Sequence, residues 1–431
     1  MELVSELLMF SDFRSPKGSS NEISFEAISQ STESTSNYSR LRRDPMSEQK
    51  KKRGTEVLYH LISQVRGYDD AIVLGRGDPD FDTPGHIINA AKDAMENKLT
   101  EPSPAEGLLV VREAIAERVE RVNGASFDPN TEIVFTNGGQ EALFLMVVAA
   151  IGEGDSLLVP EPNYNTYKDS VTFARGQIVS MPTYAEEAFR VDPDRVRQTI
   201  TPETRALLLV SPNNPAASVI SREDQQKLIQ IAQEKDLIII ADDIYDLILY
   251  DEFVHTSPAS LPGGKERTLT LNALSKTYAM TGWRAGWVAG PADLITRVRD
   301  LKAAVSGPAS LVSQYAALAA LTGPQDEANA MREAYSQRRR IVLDYLDDMG
   351  FTYGTPQGGQ FVFVDVKHTG MGSIELAQRI LDEAHVLAYP GGAFSEDMDN
   401  FLRITFLQPE EQLIQGLGRM KAAMDVIGVG G

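Results

Sequence analysis

The stretch from Leu269 to Gly290 constrains this chain more than any other part of its sequence. It begins as an apolar run, continues through small residues to Lys276, and returns through Trp283 and Arg284 to a second apolar run. Apolar surroundings disfavour the ammonium form of a lysine, so they lower its pKa and make the amine a nucleophile towards carbonyl groups. An arginine keeps its charge and presents a planar fork that suits a phosphate group.

A molecule that carries both an aldehyde and a phosphate would use these two residues at once. Pyridoxal 5′-phosphate is such a molecule, so the stretch predicts that Lys276 holds this cofactor as a Schiff base. The alternative is that Lys276 is an ordinary surface lysine at the end of a strand. This stretch alone leaves both interpretations open.

Composition limits the kinds of protein that this chain can be. Its net charge of −20 argues against nucleic acid or an anionic membrane as the main partner. The chain contains no cysteine, which excludes disulfides and thiolate metal sites, and its five histidines lack the spacing of metal ligands. No apolar run reaches the length of a membrane span. We therefore expect a soluble, cytoplasmic protein without a metal site.

Residues 1–45 are predicted to be a disordered tail, because they are rich in Ser, Thr and Asn and contain few large apolar residues after Phe13. A transit peptide is the less favoured alternative, since such peptides are poor in acids and this segment contains several, among them Glu22 and Glu26. Translation could also begin at Met46. The sequence does not separate these alternatives.

The remainder of the chain has the pattern of an α/β protein. Short apolar runs alternate with longer helical patterns, which predicts a mostly parallel sheet flanked by helices. A long charged helix, residues 325–349, leads into a smaller strand-rich region. We predict a large domain at 86–323 and a small domain made of 46–85 and 324–431. The predicted strands of the large domain are 132–135, 156–159, 206–210, 237–241, 268–271 and 286–289.

Ligands of open α/β sheets bind beyond the carboxyl ends of the strands, so the residues that follow each predicted strand are candidate site residues. Gly138, Gly139 and Gln140 open a helix, where backbone N–H groups and the helix dipole favour an anion. Tyr164 follows the next strand and could stack on a flat ring. A plain tight turn and a half-buried loop aromatic are the corresponding structural alternatives.

Two further strand ends carry polar groups. Asn214 lies in the turn 211–215, which directs amide side chains to the same edge. Asp242 directly follows a fully apolar strand, where a carboxylate needs a cationic partner such as a protonated pyridine nitrogen. Asp242 could instead be a helix N-cap. Each signal is modest, but their agreement at one edge of one sheet favours a cofactor site.

The motifs at these positions resemble those of a known family, the class I/II pyridoxal-phosphate-dependent aminotransferases of fold type I, or aspartate aminotransferase superfamily. The resemblance runs from about Leu74 to the C-terminus, and it implies a seven-stranded sheet in a large domain and a smaller α+β domain. The motifs are GDPDFDTP (77–84), TNGGQEAL (136–143), GDSLLVPEPNYNTY (154–167), SPNNP (211–215), DDIY (242–245), SKTYAMTGWRAGW (275–287) and LRITF (402–406).

The resemblance implies a role for each residue at the cofactor ring. Lys276 would form the Schiff base and later move the substrate proton, and Asp242 would pair with the pyridine nitrogen. Asn214 and Tyr245 would hydrogen-bond the ring hydroxyl oxygen, and Tyr164 would stack on the ring.

The resemblance also implies the groups that bind the two anions. The phosphate would be bound by Gly138, Gly139, Gln140, Ser275 and Arg284. The substrate α-carboxylate would be bound by Arg403, with Gly77 and Asn214 nearby. A homodimer is implied as well, with residues 306–310 close to the neighbouring subunit's site.

The expected activity is transfer of an amino group between an L-amino acid and a 2-oxo acid by ping-pong kinetics. The sequence also allows a carbon–sulfur β-lyase, or another lyase or cyclase that uses the same cofactor. A ligand-binding regulator is disfavoured, because the tail is too short for a DNA-binding domain. Three positions depart from the family pattern: Ala216-Ala217 after Pro215, Asp243 where Glu is usual, and Leu99 where a phosphate-contacting tyrosine is common.

Overall fold

The computed structural model describes residues 54–164 and 166–428. The predicted N-terminal tail and the alternative start at Met46 lie outside the described residues.

The centre of the described structure is a seven-stranded sheet with the strand order β2-β8-β7-β6-β5-β3-β4. Six of the strands run in the same direction, and only β8 is antiparallel to its neighbours β2 and β7. The seven strands are β2 (Ile133–Asn137), β3 (Ser156–Glu161), β4 (Gln177–Pro182), β5 (Thr204–Val210), β6 (Ile238–Asp242), β7 (Thr268–Ala273) and β8 (Ala285–Ala289). This confirms the predicted fold class and all six predicted strands.

Strand β4 was missed by the sequence pattern. It lies at the edge of the sheet and pairs only with β3, so most of its residues are exposed or half-buried. An edge strand of this kind needs no continuous apolar run, and that run was the signal that identified the buried strands.

The second sheet belongs to the C-terminal part of the chain. Its four strands are antiparallel in the order β12-β13-β10-β9, and a separate parallel pair joins β1 to β11. The strands are β1 (Ile72–Val73), β9 (Thr352–Tyr353), β10 (Phe361–Asp365), β11 (Val386–Leu387), β12 (Tyr389–Pro390) and β13 (Phe401–Thr405). Because β1 pairs with β11, the segment that follows β1, residues 74–77, lies beside the C-terminal sheet. The division into domains at 86–323 and at 46–85 with 324–431 stays a prediction.

Helices cover the sheets and supply the rest of the core. The helices are α1 (Gly54–Val65), α2 (Gly85–Glu96), α3 (Leu109–Asn123), α4 (Gly138–Ala150), α5 (Thr166–Phe173), α6 (Pro193–Thr199), α7 (Arg222–Glu234), α8 (Leu274–Thr277), α9 (Ala292–Val305), α10 (Leu311–Thr322), α11 (Asp326–Asp348), α12 (Ser373–Ala384) and α13 (Glu410–Ile427). Helix α4 is apolar along most of its length because it packs on the buried sheet. No helix in the described part of the chain is long and apolar enough to cross a membrane.

Candidate active site

Lys276 lies in the short helix α8, directly after the central strand β7. Its Nζ donates a hydrogen bond to the carbonyl oxygen of Gly77 over 2.8 Å and lies 3.7 Å from Oδ1 of Asp78. Burial lowers the pKa of Lys276; Asp78 opposes this shift, and the charges of Arg403 and Arg284 add to it. The lowered pKa increases the fraction of free amine, which is the nucleophilic form.

Asp242 is the last residue of β6 and is buried. Its carboxylate accepts hydrogen bonds from the hydroxyl of Tyr167 over 2.7 Å and from the backbone N–H of Ile244 over 3.2 Å. Burial nevertheless raises the pKa of Asp242 to about 6, because no basic side chain among residues 54–164 and 166–428 forms an ion pair with it. A cationic group beside this carboxylate would lower the cost of its charge.

The first residues of α4 form a cradle with Arg284. Gly138 has a φ of +79°, and a Cβ atom built on it would lie 2.7 Å from Nη2 of Arg284. The guanidinium therefore lies directly against the start of the helix, where it is exposed and donates to the carbonyl oxygen of Thr281 over 3.0 Å. Backbone N–H groups at a helix start and an adjacent arginine together suit an anion such as phosphate.

The other residues expected at the phosphate are Gly139 and Gln140 in α4 and Ser275 in α8. Gly139 follows Gly138 in α4, Gln140 is exposed on the first turn, and Ser275 is buried next to Lys276. In the described part of the chain, the side chains of Gln140 and Ser275 form no hydrogen bond with Arg284.

A buried ion pair between Glu141 and Lys302 stabilises the first turn of α4. The carboxylate of Glu141 accepts hydrogen bonds from the backbone N–H and the side-chain amide of Asn137, over 2.6 and 2.9 Å. Nζ of Lys302, which is fully buried, donates to the same carboxylate over 2.9 Å. Burial would raise the pKa of Glu141, but hydrogen bonds from Ser306, Asn137 and Lys302 lower it.

Arg403 lies in β13 and is buried, with 5% of its surface exposed. Its Nη1 donates to Oδ1 of Asn214 over 3.0 Å, and its Nη2 donates to the carbonyl oxygen of Gly75 over 2.8 Å. The rings of Phe361, Tyr389 and Phe394 lie within 5.5 Å of the guanidinium carbon. Burial lowers the pKa of Arg403. No described acidic side chain forms an ion pair with it, so a substrate carboxylate would supply the missing negative charge.

The two tyrosines expected at the ring differ in exposure. Tyr164 is 40% exposed, and its ring meets that of Tyr167 edge-on at a centroid distance of 6.2 Å. Tyr245 is buried and meets the ring of Phe361 edge-on, and burial raises its pKa. Asn214, which the resemblance places both at the ring hydroxyl and near the substrate carboxylate, accepts a hydrogen bond from Arg403 through its Oδ1. This contact leaves its side-chain NH2 group available as a donor.

Three residues at the site were not assigned from the sequence. Tyr167 lies three residues after Tyr164, a spacing that places two residues on the same side of a helical turn and could have identified it. Asp78 was noted only as part of a motif. No sequence pattern identified Tyr389, because its strand β12 has only two residues. Its contact with Gly75 forms only when β12 pairs with β13.

Comparison with known proteins identifies the family to which the chain belongs. The family model of aminotransferase class I and II matches residues 69–419. The chain is 38% identical to an aspartate aminotransferase of Pyrococcus abyssi and 36% identical to aromatic-amino-acid aminotransferase 2 of Thermococcus litoralis, and each alignment covers 84% of this chain and 94% of the relative. The solved structure of aspartate aminotransferase from Thermus thermophilus with maleate matches with a TM-score of 0.81 at 35% identity, covering 87% of this chain and 97% of that one. The chain therefore belongs to the class I and II aminotransferase family, a family that uses pyridoxal 5′-phosphate, and it is a transaminase.

Proposed function

We propose that this protein binds pyridoxal 5′-phosphate on Lys276 and moves an amino group between an L-amino acid and a 2-oxo acid in two half-reactions. The observation that carries this proposal is the position of Lys276 next to a buried arginine. Arg403 and Lys276 donate hydrogen bonds to the carbonyl oxygens of Gly75 and Gly77, two residues apart, and the charge of Arg403 lowers the pKa of the lysine. No carboxylate of the described chain forms an ion pair with Arg403. A free amine beside a carboxylate-binding fork is the arrangement that an amino-acid substrate needs.

The residues of the site fit the cofactor at three separate points. The amine of Lys276 suits the aldehyde carbon. The buried carboxylate of Asp242, which no described basic side chain neutralises, suits a protonated pyridine nitrogen. The cradle of Gly138 and Arg284, into which no Cβ would fit, suits the phosphate. Tyr164, Asn214 and Tyr245 are proposed for the ring face and its hydroxyl oxygen, and Gly139, Gln140 and Ser275 for the remaining phosphate contacts.

When bound, the cofactor supplies an electron sink for the charge that develops at the substrate α-carbon. The protein's own groups then bind, orient and move protons. Arg403 holds the α-carboxylate, with Asn214 and Gly77 beside it, and so directs the α-hydrogen towards Lys276. Nζ of Lys276 removes this proton as a general base, a role that its lowered pKa favours. Asp242 holds the proton on the pyridine nitrogen.

We further propose a homodimer, in which residues 306–310 lie near the neighbouring subunit's site. The exposed apolar side chains of Leu109, Val110 and Val305 support an additional protein contact. Light scattering of the purified protein tests this assembly. A cytoplasmic location also remains a proposal, which rests on the cysteine-free composition.

Borohydride reduction followed by peptide mapping tests the central proposal. The cofactor should be fixed to Lys276 as a secondary amine. Lys302 is the internal control, because it is fully buried in an ion pair with Glu141 and should carry no label. Labelling of another lysine would refute the assignment. In parallel, a screen of L-amino acids should require an added 2-oxo acid for sustained turnover, whereas release of pyruvate and ammonia without one would identify a lyase.

A further inference from the structure

A second arginine lies at the rim of the site without a strong partner. The guanidinium of Arg76 is exposed, and its single described ion pair is a contact of 4.0 Å between its Nε and Oδ2 of Asp78. A pair that is exposed and this long contributes little to stability. None of the described side chains or carbonyls hydrogen-bonds the terminal nitrogens of Arg76, so the fork that binds carboxylates is free.

The backbone places Arg76 between the two groups that engage the substrate. The carbonyl oxygen of Gly75 accepts a hydrogen bond from Arg403 over 2.8 Å, and the carbonyl oxygen of Gly77 accepts one from Lys276 over 2.8 Å. A substrate with its carboxylate on Arg403 and its amine at Lys276 therefore lies along residues 75–77. A Cβ built on Gly77 would meet no atom within 4 Å, so there is space beside this backbone.

Tyr389 links the two arginines. Its ring packs against Gly75, and the guanidinium carbon of Arg403 lies 5.2 Å from the ring centroid. Burial raises the pKa of Tyr389, and the positive charges of Arg403 and Arg76 both oppose this rise. Both guanidiniums therefore act on the same hydroxyl group, so the two positive charges face one region of the site.

The balance of charge at the rim favours an anion. Arg76 and Arg403 carry positive charge, and the carboxylate of Asp78 lies 3.7 Å from Lys276 and 4.0 Å from Arg76.

We propose that Arg76 binds the distal carboxylate of the substrate, so that the enzyme prefers amino acids with an acidic side chain and the corresponding 2-oxo acids. This inference rests on the proposed function, in which Arg403 binds the α-carboxylate. The negative charge of Asp78, 4.0 Å from Nε of Arg76, competes with the distal carboxylate for the same guanidinium.

Binding of an unreactive acid to the holoenzyme tests the proposal without turnover. Calorimetry with succinate, which has two carboxylates, is compared with butyrate, which has one. Arg76→Ala should weaken succinate binding by about ten- to a hundredfold, the usual effect of losing a charge-assisted hydrogen bond, and should change butyrate binding far less. Asp78→Asn should strengthen succinate binding, because it removes the competing carboxylate. Arg340→Ala is the matched control: it removes the same charge from an exposed position with no described ion pair, and both affinities should stay as in the wild type.

Kinetics separate this inference from the proposed function. Arg76→Ala should lower kcat/KM for L-aspartate mainly through KM, and should lower kcat/KM for L-alanine much less. Arg76→Lys should recover part of the loss, since it restores the charge without the fork. Equal losses on both amino acids, or an unchanged affinity for succinate, would overturn the role of Arg76 while leaving the transaminase intact. Absence of a half-reaction with every amino acid would instead overturn the proposed function.

Discussion

The hydroxyl of Tyr167 donates a hydrogen bond of 2.7 Å to the carboxylate of Asp242, and both side chains are buried. Two opposing effects meet at this pair. Burial disfavours the charged carboxylate, whereas the hydrogen bond favours it. Burial is the larger effect and raises the pKa of Asp242 to about 6. Without its cofactor, the protein therefore contains a carboxylate whose charge is costly near neutral pH.

The stability of the cofactor-free protein should consequently depend on pH through Asp242. The folded-state pKa of about 6 exceeds the ordinary value of 3.8, so the stabilising contribution is complete below about pH 4 and is lost as the pH rises through about 6. The loss should be on the order of 3 kcal/mol in the free energy of unfolding. Denaturant unfolding between pH 4 and 8 measures it.

Two variants check that this dependence belongs to Asp242. Asp242→Asn should remove most of it, because an amide does not titrate in this range. Tyr167→Phe should extend it to higher pH, because the bond that favours the charged carboxylate is lost. A pH dependence that is the same in all three proteins would assign it to other groups.

Asp242 should matter far more for turnover than for cofactor binding. Asp242→Ala removes the carboxylate that holds the pyridinium proton, but it leaves the phosphate cradle and Lys276 in place. We expect the variant to retain the cofactor and to lose roughly a hundredfold or more in kcat. Cofactor content from the absorption spectrum and single-turnover rates measure the two effects separately. If kcat were nearly normal, Asp242 would be only a structural residue at the end of β6.

The phosphate cradle should be sensitive to a single methyl group. Gly138→Ala places a Cβ atom 2.7 Å from Nη2 of Arg284 at a residue whose φ is +79°. The guanidinium must then move away from the start of α4, and we expect the cofactor dissociation constant to rise by about tenfold or more. Gly282→Ala is the matched control, since a Cβ at Gly282 meets no atom within 4 Å and its φ is not positive. Equilibrium dialysis should find wild-type affinity in this control.

The sequence predicted the buried strands of the fold because their apolar runs reflect burial on both faces. It also predicted that Lys276 and Asp242 lie at the same end of the sheet, since polar residues directly after such strands share the carboxyl end of a parallel sheet. It could not predict β4, because most residues of this strand are exposed or half-buried and form no long apolar run. Residues 1–53 lie outside the described chain, so the predicted tail stays a prediction.

The parts of the site that the sequence missed depend on contacts between distant segments. Gly75 and Arg403 are brought together by the pairing of β1 with β11 and of β12 with β13. Strands β1, β11 and β12 have only two residues each, which is too short for a sequence pattern to predict the pairing. The same pairing brings Tyr389 against Gly75. The hydrogen bond that Asn214 accepts from Arg403 also depends on this long-range arrangement.

Arg403 should bind the substrate α-carboxylate through two parallel hydrogen bonds. Its guanidinium is buried, its Nε has no hydrogen-bond partner among the described residues, and Asn214 and Gly75 hold the fork in place. A bidentate contact requires the planar guanidinium, so Arg403→Lys should be a poor substitute despite its equal charge. The loss should be roughly 2–5 kcal/mol in the transition state, which corresponds to a factor of about thirty to several thousand in kcat/KM.

An amine substrate provides the comparison that isolates this contact. Arg403→Lys is assayed with an amino acid and with the analogous amine, which lacks the α-carboxylate. The variant should lose rate on the amino acid and change little on the amine, because only the amino acid uses the fork. A general distortion of the site would slow both reactions alike, and a surface role for Arg403 would slow neither. Since Arg403 is buried among Phe361, Tyr389 and Phe394, the melting temperature of the variant is measured as well, so that a loss of packing is not mistaken for a loss of substrate binding.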